Sequence, residues 1–260
     1  MTDTGTFQFN VENFDKIYRG EPIVDGGPAS SGIPWDVHVA QPRVMELEAL
    51  GGISGDVLDI GCGLGENSIY LASQGHSVTG LDGSAMAIEL ARKRAAKAGV
   101  VVTFDVADAT NLTGYDGRFN TVIDSALYHC LDKDDARRAY AAGLHRATQP
   151  GARWFLYCFS AGNVNGITAP TGAVQESNIR DILPASGWQI DYLGPTTYLA
   201  NTSAFDAQWD DVPEHMRQQY SAEALKHMRE LTSRVAAIAT LIDDNRVHLP
   251  FSVVHAHRVN

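Results

Sequence analysis

The stretch DVLDIGCGLGEN, Asp56 to Asn67, decides how the rest of the chain reads. Val57, Leu58 and Ile60 form an apolar run of the kind found in a buried parallel strand, and Gly61, Cys62, Gly63, Leu64 and Gly65 then force a tight turn. A helix follows at once, with Ile69, Tyr70 and Leu71 as its apolar residues and Gly75 just past its end. A strand that runs through glycines into a helix sets free backbone N–H groups beside a bound small molecule, because glycine allows both unusual dihedrals and close approach. The turn therefore reads as a cofactor site. It departs from the dinucleotide fingerprint G-x-G-x-x-G, since Glu66 stands where the third glycine belongs.

What stands there instead, Asp59-x-Gly61-x-Gly63-x-Gly65, resembles the first motif of the class I S-adenosylmethionine-dependent methyltransferases. A plain strand-to-helix turn in another α/β protein is the competing reading, so the motif needs support from the rest of the chain. The 260 residues suffice for one sizeable α/β domain with elaborations. A net charge of −11 without a long basic block argues against a nucleic-acid backbone as partner. Neither a basic and apolar leader nor a membrane-length apolar run is present, so a cytoplasmic protein with no membrane partner is expected. The three cysteines, Cys62, Cys130 and Cys158, lack C-x-x-C spacing, which points to reduced thiols and no zinc site.

Ahead of the domain, Val11, Phe14 and Tyr18 recur at helical spacing among charged residues, and EPIVDGGPASSG then reads as a loop. Pro34-Trp35-Asp36 ends that loop before a helix around Arg43 to Leu50. Phe14, Tyr18 and Trp35 are either ordinary packing or a cap over the cofactor. From Asp56 onward strand and helix alternate, the signature of a parallel sheet covered on both faces. The second strand, Ser77 to Leu81, ends in Asp82, about twenty residues beyond the first strand, where a carboxylate accepts from the two ribose hydroxyls. The alternative is an acid at the start of the helix that Ser84 caps and Gly99 ends. Val100 to Phe104 is the third strand, and Asp108 beyond it is placed to accept from an adenine amino group, with the Ala109 backbone at the ring edge; a surface-turn acid is the competing view. Asn120 to Asp124 is the fourth strand, left by Asp124-Ser125-Ala126-Leu127-Tyr128-His129, and Pro150-Gly151 turns into a fifth, Arg153 to Phe159.

The agreement of these strand ends makes Gly55 to Ser160 as a whole resemble a class I S-adenosylmethionine-dependent methyltransferase. Ile33-Pro34-Trp35-Asp36 with Gln41-Pro42 resembles the thiopurine and halide methyltransferase branch. Gly114-Tyr115-Asp116-Gly117-Arg118-Phe119 followed by DSALYH is similar to the bacterial heterocyclic toxin methyltransferases, which methylate and inactivate hydroxylated quinolones and related heterocycles. The likeness runs from about Phe14 to Trp188 and returns at Leu249 to Arg258; Asn201 to Asn245 does not share it. The resemblance implies a Rossmann-like seven-stranded sheet with helices on both faces, the sixth strand (Trp188 to Leu193) parallel and the last antiparallel. The expected organisation is a single domain over 1–260, with an N-terminal cap (1–50), a core (51–199), a helical lid insert (200–246) and the final strand (247–260). Pro213 suits a helix start in the insert, and Leu225, Met228, Leu231, Val235, Ile238 and Ile242 keep helical spacing; a helix packed on the sheet's flank is the alternative.

Methyl transfer from a sulfonium is an in-line displacement with a good leaving group, so alignment and exclusion of water dominate and no metal is required. A hydroxyl acceptor gains from a base, for which His129 is the first candidate and Asp36 the second. His129 could equally be a buried structural residue or only orient an acidic N-hydroxy substrate, and Asp36 could cap the next helix. Cofactor contacts are expected from Tyr18, Trp35, Asp59, Gly61, Cys62, Gly63, Asp82, Gly83, Met86, Asp108, Ala109 and Asp124. Phe14, Tyr18, Trp35, Tyr128, His129 and Phe159 are expected to wall a small aromatic heterocycle. DSALYH lacks the Asn/Asp-Pro-Pro-aromatic motif for exocyclic base nitrogens, and His255 with His257 reads as strand packing rather than a metal pair. S-adenosylmethionine, leaving as S-adenosylhomocysteine, is the expected cofactor of a monomer or homodimer acting by O-methylation, with thiol or N-methylation as the alternatives. A nicotinamide oxidoreductase and a non-catalytic cofactor-binding protein are the rivals from other classes.

Overall fold

The computed structural model describes residues 10–21, 32–169, 172–205, 222–242 and 244–259. Seven strands form one sheet: β1 (Val57–Ile60), β2 (Val78–Asp82), β3 (Thr103–Val106), β4 (Phe119–Ser125), β5 (Thr148–Phe159), β6 (Trp188–Asn201) and β7 (Arg246–Arg258). Their spatial order is 3-2-1-4-5-7-6. The pairs among β1 to β5 are parallel, and β7 is antiparallel to both β5 and β6. Because β6 reverses β7, it runs parallel to the first five strands, and all of their carboxyl ends share one edge. A two-stranded ribbon, Asn163–Val164 with Ile167–Thr168, is not paired into the sheet but packs on β7 and adds Ile167 to the core.

Two apolar layers follow from the alternation of side chains along each strand. On β5, Trp154, Leu156 and Cys158 join one core, while Phe155, Tyr157 and Phe159 join the other. The first core is closed by α5 (Asp134–Ala147) and α6 (Glu176–Ala185) through Tyr140, Leu144, Ile179 and Leu183. The second is closed by Val44 and Leu47 of α2 (Pro42–Ala49), Leu71 of α3 (Glu66–Ser73), and Leu231 and Val235 of the insert helix α7 (Ala222–Ala239). A smaller cluster under α4 (Ala85–Ala98) joins Ile88, Ala91 and Ala95 to Phe104 of β3.

Several boundaries differ from the sequence expectation. The third strand begins at Thr103, not Val100, because Gly99 ends α4 in the left-handed region and the Val100 N–H returns to the Ala95 carbonyl, which makes Val100 part of the helix cap. Val101 lies in the link between them and is exposed. Pro150 and Gly151 fall inside β5, where the pairing with β4 shifts between Phe119 and Thr121. The sixth strand does not stop at Leu193: it passes through Gly194 and Pro195 to Asn201, which an edge strand tolerates because one of its sides needs no N–H. The expected helix start at Pro213 and most of the EPIVDGGPASSG loop lie outside the described residues.

Candidate active site

The site is built at the carboxyl edge, where β1 enters the glycine turn. Gly61, Gly63 and Gly65 all take positive φ (70°, 54° and 85°), so the turn reaches α3 by a route closed to most side chains. Over it lies helix α1 (Val11–Arg19), capped by Asn10 and ended by Gly20. A Cβ on Gly63 would come within 3.1 Å of the Tyr18 hydroxyl and 3.7 Å of the Trp35 indole nitrogen, so the cap sits directly on the turn. Trp35 donates to the Tyr18 hydroxyl (3.1 Å), and Phe14 meets the Trp35 ring edge-on at 5.6 Å. Phe14, Tyr18 and Trp35 are thus brought together.

Asp59 and Asp82 flank the turn. Asp59 is buried, and its Oδ2 accepts from Ser68 (2.5 Å) while Oδ1 has no partner among the described residues. Burial pushes its pKa up to about 6. Asp82 ends β2 and accepts from the Gly63 N–H (2.9 Å) and the Ser84 N–H (2.8 Å). Burial raises its pKa, against the two backbone hydrogen bonds and with help from Asp15 of α1. Each carboxylate oxygen retains accepting capacity beyond these single bonds. Ser84 caps α4 through the Ala87 N–H and also donates to Asp15, while Gly83 lies under Val11. The helix-start reading of the second-strand acid is thus visible in its bond from the Ser84 N–H, and the bond from Gly63 places the same carboxylate against the glycine turn. Cys62 and Met86 are half-buried beside this turn and in the first turn of α4. Burial, Asp59 and Asp82 hold the Cys62 thiol protonated. Asp108 is exposed and its Oδ1 accepts from the Thr110 N–H and hydroxyl in a local turn, and Ala109 packs against the first core.

The end of β4 separates two neighbours that the sequence reading placed together. Asp124 is fully buried: Oδ1 accepts from the Leu127 and Tyr128 N–H groups and Oδ2 from the Tyr140 hydroxyl (2.8 Å), and burial raises its pKa to about 7. Its visible work is to fix the short turn Tyr128–Cys130. Tyr128 points into the first core against Tyr140 and Trp154, with its hydroxyl bonded to Asn178 (3.1 Å), and is not among the residues at the cap. His129 points to the opposite layer. It packs on Phe159 (ring centroids 4.1 Å) and edge-on to Phe251 (5.7 Å), and its Nδ1 accepts from the Phe159 N–H (3.3 Å). Burial, with the charge of Arg137, pushes its pKa down to about 3, so the ring is neutral and carries its proton on Nε2.

Asp36 is also taken up differently from a general base. Both of its oxygens accept from the Arg94 guanidinium (2.9 and 2.8 Å), and the same Arg94 pairs with Glu66 at the start of α3. The missing third glycine of a dinucleotide loop is thereby a link between the turn, α4 and the cap. Gln41 completes the attachment by exchanging two hydrogen bonds with the Leu199 backbone on β6. Sequence reasoning missed Tyr198 and Phe251, which stack at 4.5 Å beside His129. Tyr198 lies past the expected strand end, and only the unbroken alternation of Thr196, Tyr198 and Ala200 could have revealed it.

The buried, unpartnered Asp59 Oδ1, the accepting carboxylate of Asp82 and the glycine cradle fit a cofactor that carries an ammonium, ribose hydroxyls and a sulfonium. Comparison with known proteins agrees. Residues 57–151 match the family model of a methyltransferase domain. The chain is 38% identical over 193 residues to 2-heptyl-1-hydroxyquinolin-4(1H)-one methyltransferase of Mycobacteroides abscessus, covering 74% of this chain and 83% of that protein. It is similar to a structure solved for the conversion of a disulfide bond into a thioacetal group during echinomycin biosynthesis, with TM-score 0.72, 31% identity, and 96% and 93% of the two chains covered. It also shares the fold of Burkholderia thailandensis 1,6-didemethyltoxoflavin-N1-methyltransferase, solved with S-adenosylhomocysteine, at TM-score 0.51, 20% identity and coverage of 84% and 77%.

Proposed function

The chain belongs to the S-adenosylmethionine-dependent methyltransferases and acts on a small molecule, and from that premise we propose that its acceptor is a hydroxyl oxygen on a small aromatic heterocycle of the hydroxyquinolone kind. The observation that carries this reading is an uncharged imidazole, His129, set in an aromatic cluster with Phe159, Phe251 and Tyr198 at the carboxyl edge of the sheet. A flat, weakly polar acceptor suits such walls.

S-adenosylmethionine supplies an electrophilic methyl group on a sulfonium that leaves readily. In this reading the glycine turn, Asp59 and Asp82 hold the cofactor, and Tyr18 and Trp35 close over it. The cap excludes water and fixes the acceptor's approach, which is where most of the rate must come from when the leaving group is already good. His129 acts as a donor through Nε2, since a buried ring with so low a pKa is a poor proton acceptor at neutral pH. An N-hydroxy group is acidic enough to arrive ionised, so orientation by His129 suffices. Asp36, held by Arg94, fastens the cap. In this reading the described cap residues Phe14, Tyr18 and Trp35 and the insert helix α7 border the acceptor, and capping an ionisable hydroxyl is the change expected of detoxification or secondary metabolism.

A sulfur acceptor is the second reading, favoured by the 31% identity to the protein from the disulfide-to-thioacetal work. Labelled cofactor offered with equimolar 1-hydroxyquinolone and aryl thiol, with mass detection of products, decides between them. The expected product is the O-methyl ether. Methylation of the thiol alone overturns the oxygen reading.

A further inference from the structure

Two hydroxyls, one at the carboxyl end of β4 and one on β6, are left without a role by the proposed cofactor site. Ser125 is the last residue of that strand, and its Oγ is buried with no hydrogen-bond partner among the described residues. Ala126 beyond it takes φ 84°, a left-handed conformation costly for a side-chain-bearing residue, and is pinned there by its N–H to the Tyr157 carbonyl (3.0 Å). That strained turn sends the chain away and leaves the serine at the edge. Its polar neighbour from β6 is Tyr198, whose hydroxyl interacts with the Ser125 and Gln41 side chains without closing a full hydrogen bond to the Ser125 Oγ. Gln41 is already committed through both ends of its amide to the Leu199 backbone. The Tyr198 ring lies flat on Phe251 (interplanar 13°), and Phe251 in turn meets His129 edge-on, so Tyr198 and His129 share one aromatic neighbour.

We propose that Tyr198 and Ser125 form the hydrogen-bonding subsite that binds the acceptor's oxygen and selects substrates that present one there. The inference rests on the reading of an oxygen-bearing aromatic acceptor. A buried hydroxyl without a partner carries a desolvation cost that a bound ligand atom can relieve. Burial, offset by its polar neighbours, raises the pKa of Tyr198, so its hydroxyl stays protonated and is a donor at working pH. The stack on Phe251 holds that donor in one direction, and an oxygen accepts such a bond far better than a thioether or thiol sulfur. Tyr198 is therefore a specificity-determining residue, standing next to Asp59 and Tyr18 of the proposed cofactor site.

The test is a cycle that removes one hydroxyl from the protein and one from the ligand. Binding of 2-heptyl-1-hydroxyquinolin-4(1H)-one and of its counterpart without the N-hydroxyl is measured by calorimetry, with S-adenosylhomocysteine present, for the wild-type protein, Tyr198→Phe and Ser125→Ala. The wild type is expected to prefer the N-hydroxy compound by about tenfold, the scale of one well-made buried hydrogen bond, and Tyr198→Phe to prefer it by less than about threefold. Ser125→Ala should fall between them. Melting temperature and S-adenosylhomocysteine affinity serve as folding readouts and should match the wild type in Tyr198→Phe, whose ring still stacks. Unchanged discrimination in Tyr198→Phe, or none in the wild type, overturns the subsite. If the acceptor competition yields another oxygen acceptor, that compound and its deoxy analogue replace the quinolones. If it yields no oxygen acceptor, the functional reading fails at that earlier step and the subsite with it.

Discussion

At Gly63 one methyl group is expected to disturb the proposed cofactor cradle. The residue holds φ 54°, and a Cβ there would crowd the Tyr18 hydroxyl at 3.1 Å while resting in ordinary contact with Trp35. Gly63→Ala should combine about 1–2 kcal/mol of left-handed strain with displacement of the cap, and S-adenosylhomocysteine affinity measured by calorimetry should fall at least tenfold. Gly117→Ala, with φ 62° and nothing within 4 Å of its Cβ, is the matched control: similar strain, unchanged affinity. The glycines and acids of the turn were legible because backbone conformation and charge dictate residue type there. Tyr128 and His129 were not, since adjacent residues of a short turn face opposite layers and composition alone does not say which. His129 offers its own check. Its folded pKa lies below the ordinary histidine value of 6.5, so the stability it contributes is fully present above that pH and is lost as pH falls toward about 3. The difference in melting temperature between wild type and His129→Gln should shrink steadily from pH 7 to pH 4.

At the scale of elements, Arg94 joins three pieces that the sequence keeps far apart. Its bonds to Asp36 and Glu66 tie α4 to the cap and to the first turn of α3, while Asn201 and Arg246 hold the same cap segment through the Asp36 and Val37 carbonyls. Bidentate, half-buried pairs of this kind are worth more than a surface salt bridge. Arg94→Met keeps the stem and removes the fork, and should raise the dissociation constant of S-adenosylhomocysteine about fivefold or more with a fall of only a few degrees in melting temperature. Arg94→Lys should restore part of it; equal losses in folding and binding for both variants would make Arg94 a purely structural residue. Helices were the easiest elements to place, because residues such as Ser84 and Gly99 mark their ends in residue type. Strand ends were harder. Val100 and Val101 have strand composition, yet the first belongs to a helix cap, and Gly194-Pro195 has turn composition inside a continuous edge strand.

For the whole molecule, the balance of charge is decided where the site is buried. Asp59 and Asp124 have folded pKa values of about 6 and about 7, above the ordinary 3.8. Raised carboxyls stabilise the fold fully below the ordinary value, and that contribution is lost as pH rises through 6 and 7. The cofactor-free protein is therefore expected to lose stability across the range in which many proteins gain it. S-adenosylmethionine reverses the sign. On the placement proposed above, its ammonium and sulfonium favour ionised carboxylates, so a protonated Asp59 is expected to lose its proton on binding, and linkage then makes affinity rise with pH up to about 6 and level off above it. Calorimetry at pH 5.5 in two buffers of different ionisation enthalpy should report net proton release on S-adenosylmethionine binding, and Asp59→Asn should abolish most of it. Proton release unchanged in Asp59→Asn would move the linked proton to Asp82, the other carboxylate at the turn whose pKa burial raises. The acid at the end of β1 would then act on the turn's geometry alone, through Ser68.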